Sequence, residues 1–221
     1  MAWWNTIRMP GKSYHGPLPP ADDRLQSLAA ELRRHVAQLA EEIGERNVLR
    51  CSHALDKSAS YIEAEFKGLG YGVQSQSFDV SDVTCRNLVV EIPGRDSAAE
   101  IVVIGAHYDS AMGTPGANDN GSGVAALLAL ARRFAGSQPR RTLRWVAFVN
   151  EEPPYFQTDQ MGSWVYAQEC RRRSEQVVAM LSLETIGYYS DAPGSQKYPA
   201  PFNRFYPSTG NFIGFVGNVS S

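Results

Sequence analysis

The most diagnostic stretch of this chain reads Ile101-Val102-Val103-Ile104-Gly105-Ala106-His107-Tyr108-Asp109. Its four consecutive β-branched residues predict a short strand that is buried on both faces. Polar residues begin at His107, so the change from apolar to polar side chains indicates where that strand ends. We therefore expect His107 and Asp109 to lie at the carboxyl edge of a sheet.

Helices and strands alternate after this stretch. The Ala/Leu-rich run Gly121 to Phe134 predicts a helix, and Leu143 to Val149 predicts the next buried strand. Met161 to Arg172 has helical spacing, and Val177 to Leu183 predicts a third strand. The order indicates an α/β fold of three layers, in which a mostly parallel central sheet carries helices on both faces.

Two helices and a pair of strands are also predicted before this stretch. Asp22 or Asp23 can cap a helix that ends at Gly44. The other elements are a helix from about Ala54 to Lys67 and antiparallel strands at Val73 to Val80 and Arg86 to Ile92.

The two ends of the chain differ from its centre. Residues 10 to 20 hold four prolines, so we expect residues 1–21 to form an extended N-terminal arm and residues 22–221 to form one domain. Ile213, Phe215 and Val216 predict a strand entering the sheet.

Composition excludes several classes of function. A chain of 221 residues with 43% hydrophobic content and a net charge of −2 predicts a soluble globular domain that binds no nucleic acid and spans no membrane. Its three cysteines lack a CxxC spacing, which argues against a cysteine zinc site. We expect no signal peptide in this chain, and an exported or periplasmic location requires that one has been removed. The sequence specifies neither compartment nor oligomeric state.

Polar residues follow the ends of three predicted strands. His107 follows the first, Glu151 and Glu152 the second, and Glu184 the third, while Asp119 lies in the turn Asn118-Asp119-Asn120-Gly121 before a helix. Because parallel strands share a carboxyl edge, these side chains are expected to converge. Each motif alone is more simply a surface pair, a turn or a satisfied histidine, but their joint placement favours a site.

The residue types are those that bind zinc. His107 would bind a metal and Asp109 would orient its ring. Asp119 suits a carboxylate that bridges two ions about 3.5–4 Å apart. Adjacent glutamates at a strand end are expected to point in different directions, so one of Glu151 and Glu152 would bind metal and the other would act as a base.

The segment from Asn87 to Tyr188 resembles the zinc exopeptidase family of bacterial leucyl aminopeptidases, glutamate carboxypeptidase II and glutaminyl cyclases. The resemblance rests on Gly-Ala-His-Tyr-Asp-Ser, Pro-Gly-Ala-Asn-Asp-Asn-Gly-Ser-Gly and Phe-Val-Asn-Glu-Glu-Pro. It implies that Glu151 is the general base and Asp109 the orienting partner. The implied metal ligands are His107, Asp119 as the bridge, Glu152, and Glu184 where the family usually has aspartate. The family's last ligand is a later histidine, and none follows His107. Since a complete domain of this family normally continues for several more elements, the resemblance implies that residues 22–221 form a C-terminally incomplete catalytic domain.

The resemblance implies a two-zinc aminopeptidase that hydrolyses N-terminal peptide bonds of peptide or aminoacyl substrates. Two zinc ions are expected per complete site, and one or none in this chain alone. A glutaminyl cyclase-like aminoacyltransferase with a single zinc is the first alternative. The second is a catalytically inactive fragment or a binding module.

Overall fold

The computed structural model describes residues 16–217 of the chain. Most of the predicted arm therefore lies outside the described residues, and its described part, residues 16–21, is exposed and contains neither helix nor strand. The division into an arm and a domain stays a prediction.

The first helix begins and ends where the sequence predicts. Helix α1 spans Asp23–Ala37 and continues as a π-helical segment, Gln38–Ile43. Asp22 caps it, because its carboxylate accepts a hydrogen bond from the Leu25 N–H at 2.7 Å. Gly44 ends it with a φ of +82°, a conformation that favours glycine.

A five-stranded sheet forms the middle layer, with the strand order β1-β2-β4-β3-β5. Strand β3 is parallel to β4 and β5, whereas β2 is antiparallel to β1 and β4. Four strands therefore point the same way, which confirms the predicted mostly parallel sheet. The strands are β1 Gln74–Val80, β2 Val83–Ile92, β3 Ser97–His107, β4 Arg141–Phe148 and β5 Gln176–Ser182.

Helices cover both faces of this sheet. Trp145 of β4 is fully buried in the larger core with Ile62 and Leu127, whereas Val146 lies in a smaller core against Tyr166. Successive residues of a strand point to opposite faces, so these two cores confirm the predicted three layers. The remaining helices are α2 Ser52–Gly68, a π-helical segment Ala117–Ser122, α3 Gly123–Phe134, α4 Gly162–Arg172 and a short 3-10 helix, Phe202–Arg204.

Within the described part of the chain, none of the helices combines the length and the apolar character that crossing a membrane requires.

Strand β5 lies at an edge of the sheet and is exposed along its whole length. The strand predicted at Ile213, Phe215 and Val216 is wrong, since residues 183–217 contain no strand and Val216 is fully exposed. A strand needs a hydrogen-bonded neighbour. None of the described strands pairs with these residues, so their β-branched and aromatic character alone does not produce one.

Candidate metal centre

Three adjacent strands bring the predicted site residues to one edge of the sheet. His107 is the last residue of β3 and is paired with Phe148, the last residue of β4. Glu151 and Glu152 follow β4, and Glu184 follows β5. Because β4, β3 and β5 are neighbours and parallel, their carboxyl ends lie together. The predicted convergence is confirmed.

The imidazole of His107 lies at the centre of the cluster and is only 3% exposed. Its Nε2 atom is 3.1 Å from an Asp119 oxygen, 3.4 Å from a Glu184 oxygen and 3.6 Å from a Glu151 oxygen. Its Nδ1 atom faces Asp109 Oδ1 at 3.3 Å. The ring therefore presents one nitrogen to Asp109 and the other to three carboxylates.

The buried carboxylate of Asp109 does more than face the His107 ring. Its Oδ1 accepts a hydrogen bond from the Glu151 backbone N–H at 3.1 Å, and its Oδ2 accepts one from the Glu152 N–H at 3.0 Å. One side chain thus fixes the histidine and also the backbone that carries both glutamates.

The two glutamates reach the same place, contrary to the expectation that they point in different directions. An oxygen of Glu151 and an oxygen of Glu152 both lie within 4.8 Å of a His107 ring nitrogen. The preceding residue, Asn150, has a φ of +59°, and its amide donates to Cys85 Sγ at 3.3 Å. The backbone therefore leaves the extended strand geometry on which that expectation depended.

Asn120 connects the segment that carries Asp119 to the end of β5. Its Nδ2 donates to the Leu183 carbonyl at 2.8 Å and to Glu184 Oε2 at 3.0 Å. Its Oδ1 accepts from the Gly123 N–H at 3.0 Å and so caps α3. The sequence predicts the turn and the cap at this motif but not the hydrogen bond to Glu184. A side-chain amide, which donates and accepts, beside a predicted ligand is the signal that could have found it.

Charges in the cluster shift the pKa values of its members. Burial opposes protonation of His107, but hydrogen bonds to Asp109, Asp119 and Glu184 outweigh it and raise its pKa to about 12. The hydrogen bond with His107 in turn lowers the pKa of Asp119. Burial, and next the Asp119 charge, raises the pKa of Glu152 to about 7. The carboxylates therefore favour a positive charge at their centre.

The donor set fits a zinc ion. Two ligand atoms on one tetrahedral zinc, each about 2.0–2.1 Å from it, lie roughly 3.3 Å apart. The Nε2 of His107 meets this spacing with Asp119 and Glu184, at 3.1 Å and 3.4 Å. A second possible ligand group joins His107 to Glu151 and Glu152. Asp109 would hold the Nδ1 proton and leave Nε2 for the metal.

Comparison with known proteins agrees with this zinc-binding donor set. Residues 87–211, more than half of the chain, match the model of Peptidase family M28. The chain belongs to this family of zinc-dependent metallopeptidases.

Two relatives illustrate the range of similarity. Uncharacterized protein YfbL of Escherichia coli (strain K12) is 39% identical over 198 residues, which are 86% of this chain and 59% of the relative. Leupeptin-inactivating enzyme 1 of Streptomyces exfoliatus is 35% identical over 138 residues, which are 62% of this chain and 31% of that enzyme. The chain thus spans less than two thirds of the length of either relative.

Solved structures share the fold. LapB from Legionella pneumophila has a TM-score of 0.61 and 25% identity, covering 83% of this chain and 52% of LapB. BSAP, a zinc aminopeptidase from Bacillus subtilis, has a TM-score of 0.61 and 16% identity, covering 77% and 74%. A glutaminyl cyclase from Porphyromonas gingivalis has a TM-score of 0.59 and 21% identity, covering 77% and 64%. At these identities the aminopeptidase and the cyclase establish the fold alone.

Proposed function

We propose that this chain is a zinc-dependent aminopeptidase that removes N-terminal residues from peptides. The observation that carries the proposal is the approach of three carboxylates to one imidazole nitrogen, all within 3.6 Å. The histidine is buried, whereas the side chains of Asp119 and Glu184 are 55% and 45% exposed. A substrate can therefore reach the carboxylate side of the centre.

The proposed ligands divide into two sets that share Asp119. His107, Asp119 and Glu184 would hold one zinc, since their ligand atoms lie within 4.8 Å of one another. Asp119 and Glu152 would contribute to a second zinc. Asp119 suits the bridging role because one of its oxygens faces His107 while its side chain is otherwise largely exposed.

Glu151 is the proposed general base. Burial raises its pKa, and the charges of Asp109, Glu184 and Asp119 act in the same direction against the attraction of His107. A carboxylate with a raised pKa is a better proton acceptor. Glu151 would take a proton from the attacking water and return it to the leaving amine. Bound zinc would supply Lewis-acid polarisation of the scissile carbonyl.

Hydrolysis of an aminoacyl anilide with a free amino group tests the proposal. We expect turnover that depends on added zinc, stops with a chelator and fails on the N-acetylated anilide. Cyclisation of an N-terminal glutamine without anilide hydrolysis would favour the single-zinc aminoacyltransferase instead. Zinc binding with neither activity would favour a binding module.

A further inference from the structure

Arg46 is a fully buried arginine beside the metal centre that the chemistry described so far does not use. It follows Gly44, the residue that ends the first helical segment. Its side-chain hydrogen bonds in the described chain go to backbone carbonyl oxygens rather than to carboxylates. A buried cation is costly unless it is fully hydrogen-bonded, so this arrangement indicates a specific role.

The guanidinium group donates hydrogen bonds to both ends of the loop that joins His107 to Asp119. Its Nε donates to the Tyr108 carbonyl, directly after His107, at 2.5 Å. On the other side it donates to the Pro115 carbonyl at 2.5 Å and the Gly116 carbonyl at 2.8 Å. Two further bonds of 3.2 Å reach Leu39 and Gly44 at the end of the helical segment.

The Gly116 carbonyl also shapes the turn that contains Asp119. It accepts the Gly121 N–H at 3.0 Å, so the turn closes on the same oxygen that Arg46 holds. Gly116 has a φ of +58°, and a Cβ atom there would lie 2.6 Å from Ser110 Cβ and 3.0 Å from the guanidinium. The guanidinium therefore packs against a glycine backbone that has no room for a side chain.

The main chain of Arg46 adds two more contacts to the same loop. Its N–H donates to Ser110 Oγ at 3.1 Å, and its carbonyl accepts the Ser110 N–H at 2.9 Å. Burial lowers the pKa of Arg46 to about 10, opposed by the charges of Asp109 and Asp119, so the group stays positively charged at neutral pH. That charge faces two of the acidic residues of the centre.

We infer that Arg46 is a positioning residue that sets the separation of His107 and Asp119 and thereby the affinity of the centre for zinc. Its importance for catalysis rests on the proposed function, but its effect on the loop and on metal binding does not. The planar guanidinium reaches several carbonyls in fixed directions, which the single ammonium of a lysine cannot do. The positioning role therefore depends on the geometry of the side chain more than on its charge.

The test compares Arg46→Lys with Arg144→Lys. Arg144 is a suitable control because it is also largely buried and pairs with Glu91 at 2.9 Å and Glu175 at 2.5 Å on the body of the sheet. Zinc affinity is measured against a competing chelator, and amide hydrogen exchange is followed in residues 108–121. We expect Arg46→Lys to weaken zinc binding by about 10–100-fold, the usual cost of losing an outer partner of a metal site. Its exchange in residues 108–121 should rise, whereas Arg144→Lys should change neither quantity.

Each result separates this inference from the proposed function. Unchanged zinc affinity and unchanged exchange in Arg46→Lys would overturn the positioning role, even if the parent chain is an active peptidase. A parent chain without peptidase activity would remove the proposed function, yet a rise in exchange confined to the Arg46 variant would still support the inference. If the parent chain retains no zinc, amide hydrogen exchange in residues 108–121 alone decides whether Arg46 positions the loop. Arg46→Met, which removes the charge as well, should show at least the same loss; if it does not fold, Arg46→Lys remains the deciding variant.

Discussion

The carboxylate of Asp109 accepts a hydrogen bond of 3.1 Å from the backbone N–H of Glu151, a residue 42 positions later in the chain. This bond joins the end of β3 to the loop after β4. The proposed base therefore depends for its position on the same carboxylate that faces the proposed metal ligand His107. A change at Asp109 should affect metal binding and catalysis together.

Asp109→Asn should weaken zinc binding by about 10–100-fold without abolishing it, since His107 keeps its own ligand atom. The asparagine amide offers one accepting oxygen where the carboxylate offers two, so one glutamate N–H loses its partner. Titration against a competing chelator measures the loss. Asp79→Asn is the control, because the exposed Asp79 bonds to Thr84 at the turn between β1 and β2. Equal zinc affinity in both variants and the parent would exclude the orienting role.

Glu151→Gln should lower peptidase turnover by about 10²–10⁴-fold, the usual effect of losing a general base, while zinc content stays nearly unchanged. The glutamine has a similar shape but accepts no proton at neutral pH. Metal analysis and steady-state kinetics on the same preparation check both halves of this expectation. The matched variant Glu152→Gln should bind the second zinc more weakly when zinc is supplied in excess. If instead Glu151→Gln loses zinc and Glu152→Gln does not, the two roles are the reverse of those proposed.

Asn120→Ala should destabilise the protein and also weaken zinc binding. The variant removes the cap of α3, which is worth about 1 kcal/mol, and the donor to Glu184. Asn120→Asp keeps the capping oxygen but cannot donate to Leu183 or Glu184, and it places a carboxylate oxygen against both acceptors. We expect this variant also to unfold at a lower temperature than the parent and to bind zinc more weakly. Parent-like zinc affinity in both variants would show that Glu184 needs no support from Asn120.

His35 should make the free energy of unfolding depend on pH. Burial, and next the charge of Arg34, lowers its pKa to about 4 from an ordinary value near 6.5. Between these values the unfolded chain binds more protons than the folded one, so stability falls as the pH falls from 6.5 toward 4. The loss between pH 7.5 and pH 5 should be about 2 kcal/mol.

Urea unfolding at several pH values measures this contribution. His35→Gln should show a shallower pH dependence than the parent, whereas His53→Gln, at an exposed position on α2, should keep the parent's dependence. Identical slopes in all three proteins would mean that His35 carries no pH-dependent stability.

The sequence predicts those parts of the site that follow directly from strand ends. His107 and Glu184 come directly after apolar runs, and the order of helices and strands places those runs in parallel. Side chains that act through a non-repetitive backbone leave no such pattern. Arg46 donates hydrogen bonds to carbonyl oxygens of three separate segments, and no periodicity in the sequence predicts these contacts. The joint approach of Glu151 and Glu152 likewise depends on the left-handed backbone at Asn150.

The wrong strand prediction at residues 213–216 has a different origin. Strand propensity describes how a side chain fits a pleated surface, and the surface must be present. Phe215 is 92% exposed, so nothing in the described structure provides that surface. By contrast, Ile104 and Trp145 have comparable strand character and are paired and buried in the sheet.

Zinc stoichiometry is the last prediction. His107, Asp119 and Glu184 give a first ion three protein ligands, the number that catalytic zinc sites commonly have. A second ion would have Asp119 and Glu152, and the other described histidines do not join them: His35 is buried against Tyr61, and His53 lies exposed on α2. We therefore expect residues 1–221 to retain at most one zinc per chain after dialysis against a weak chelator, and to need added zinc for aminopeptidase activity. Metal analysis of the purified chain, with a His107→Ala variant as the zinc-free reference, measures this directly. Two retained zinc ions with rapid turnover would show that the described ligands complete both sites.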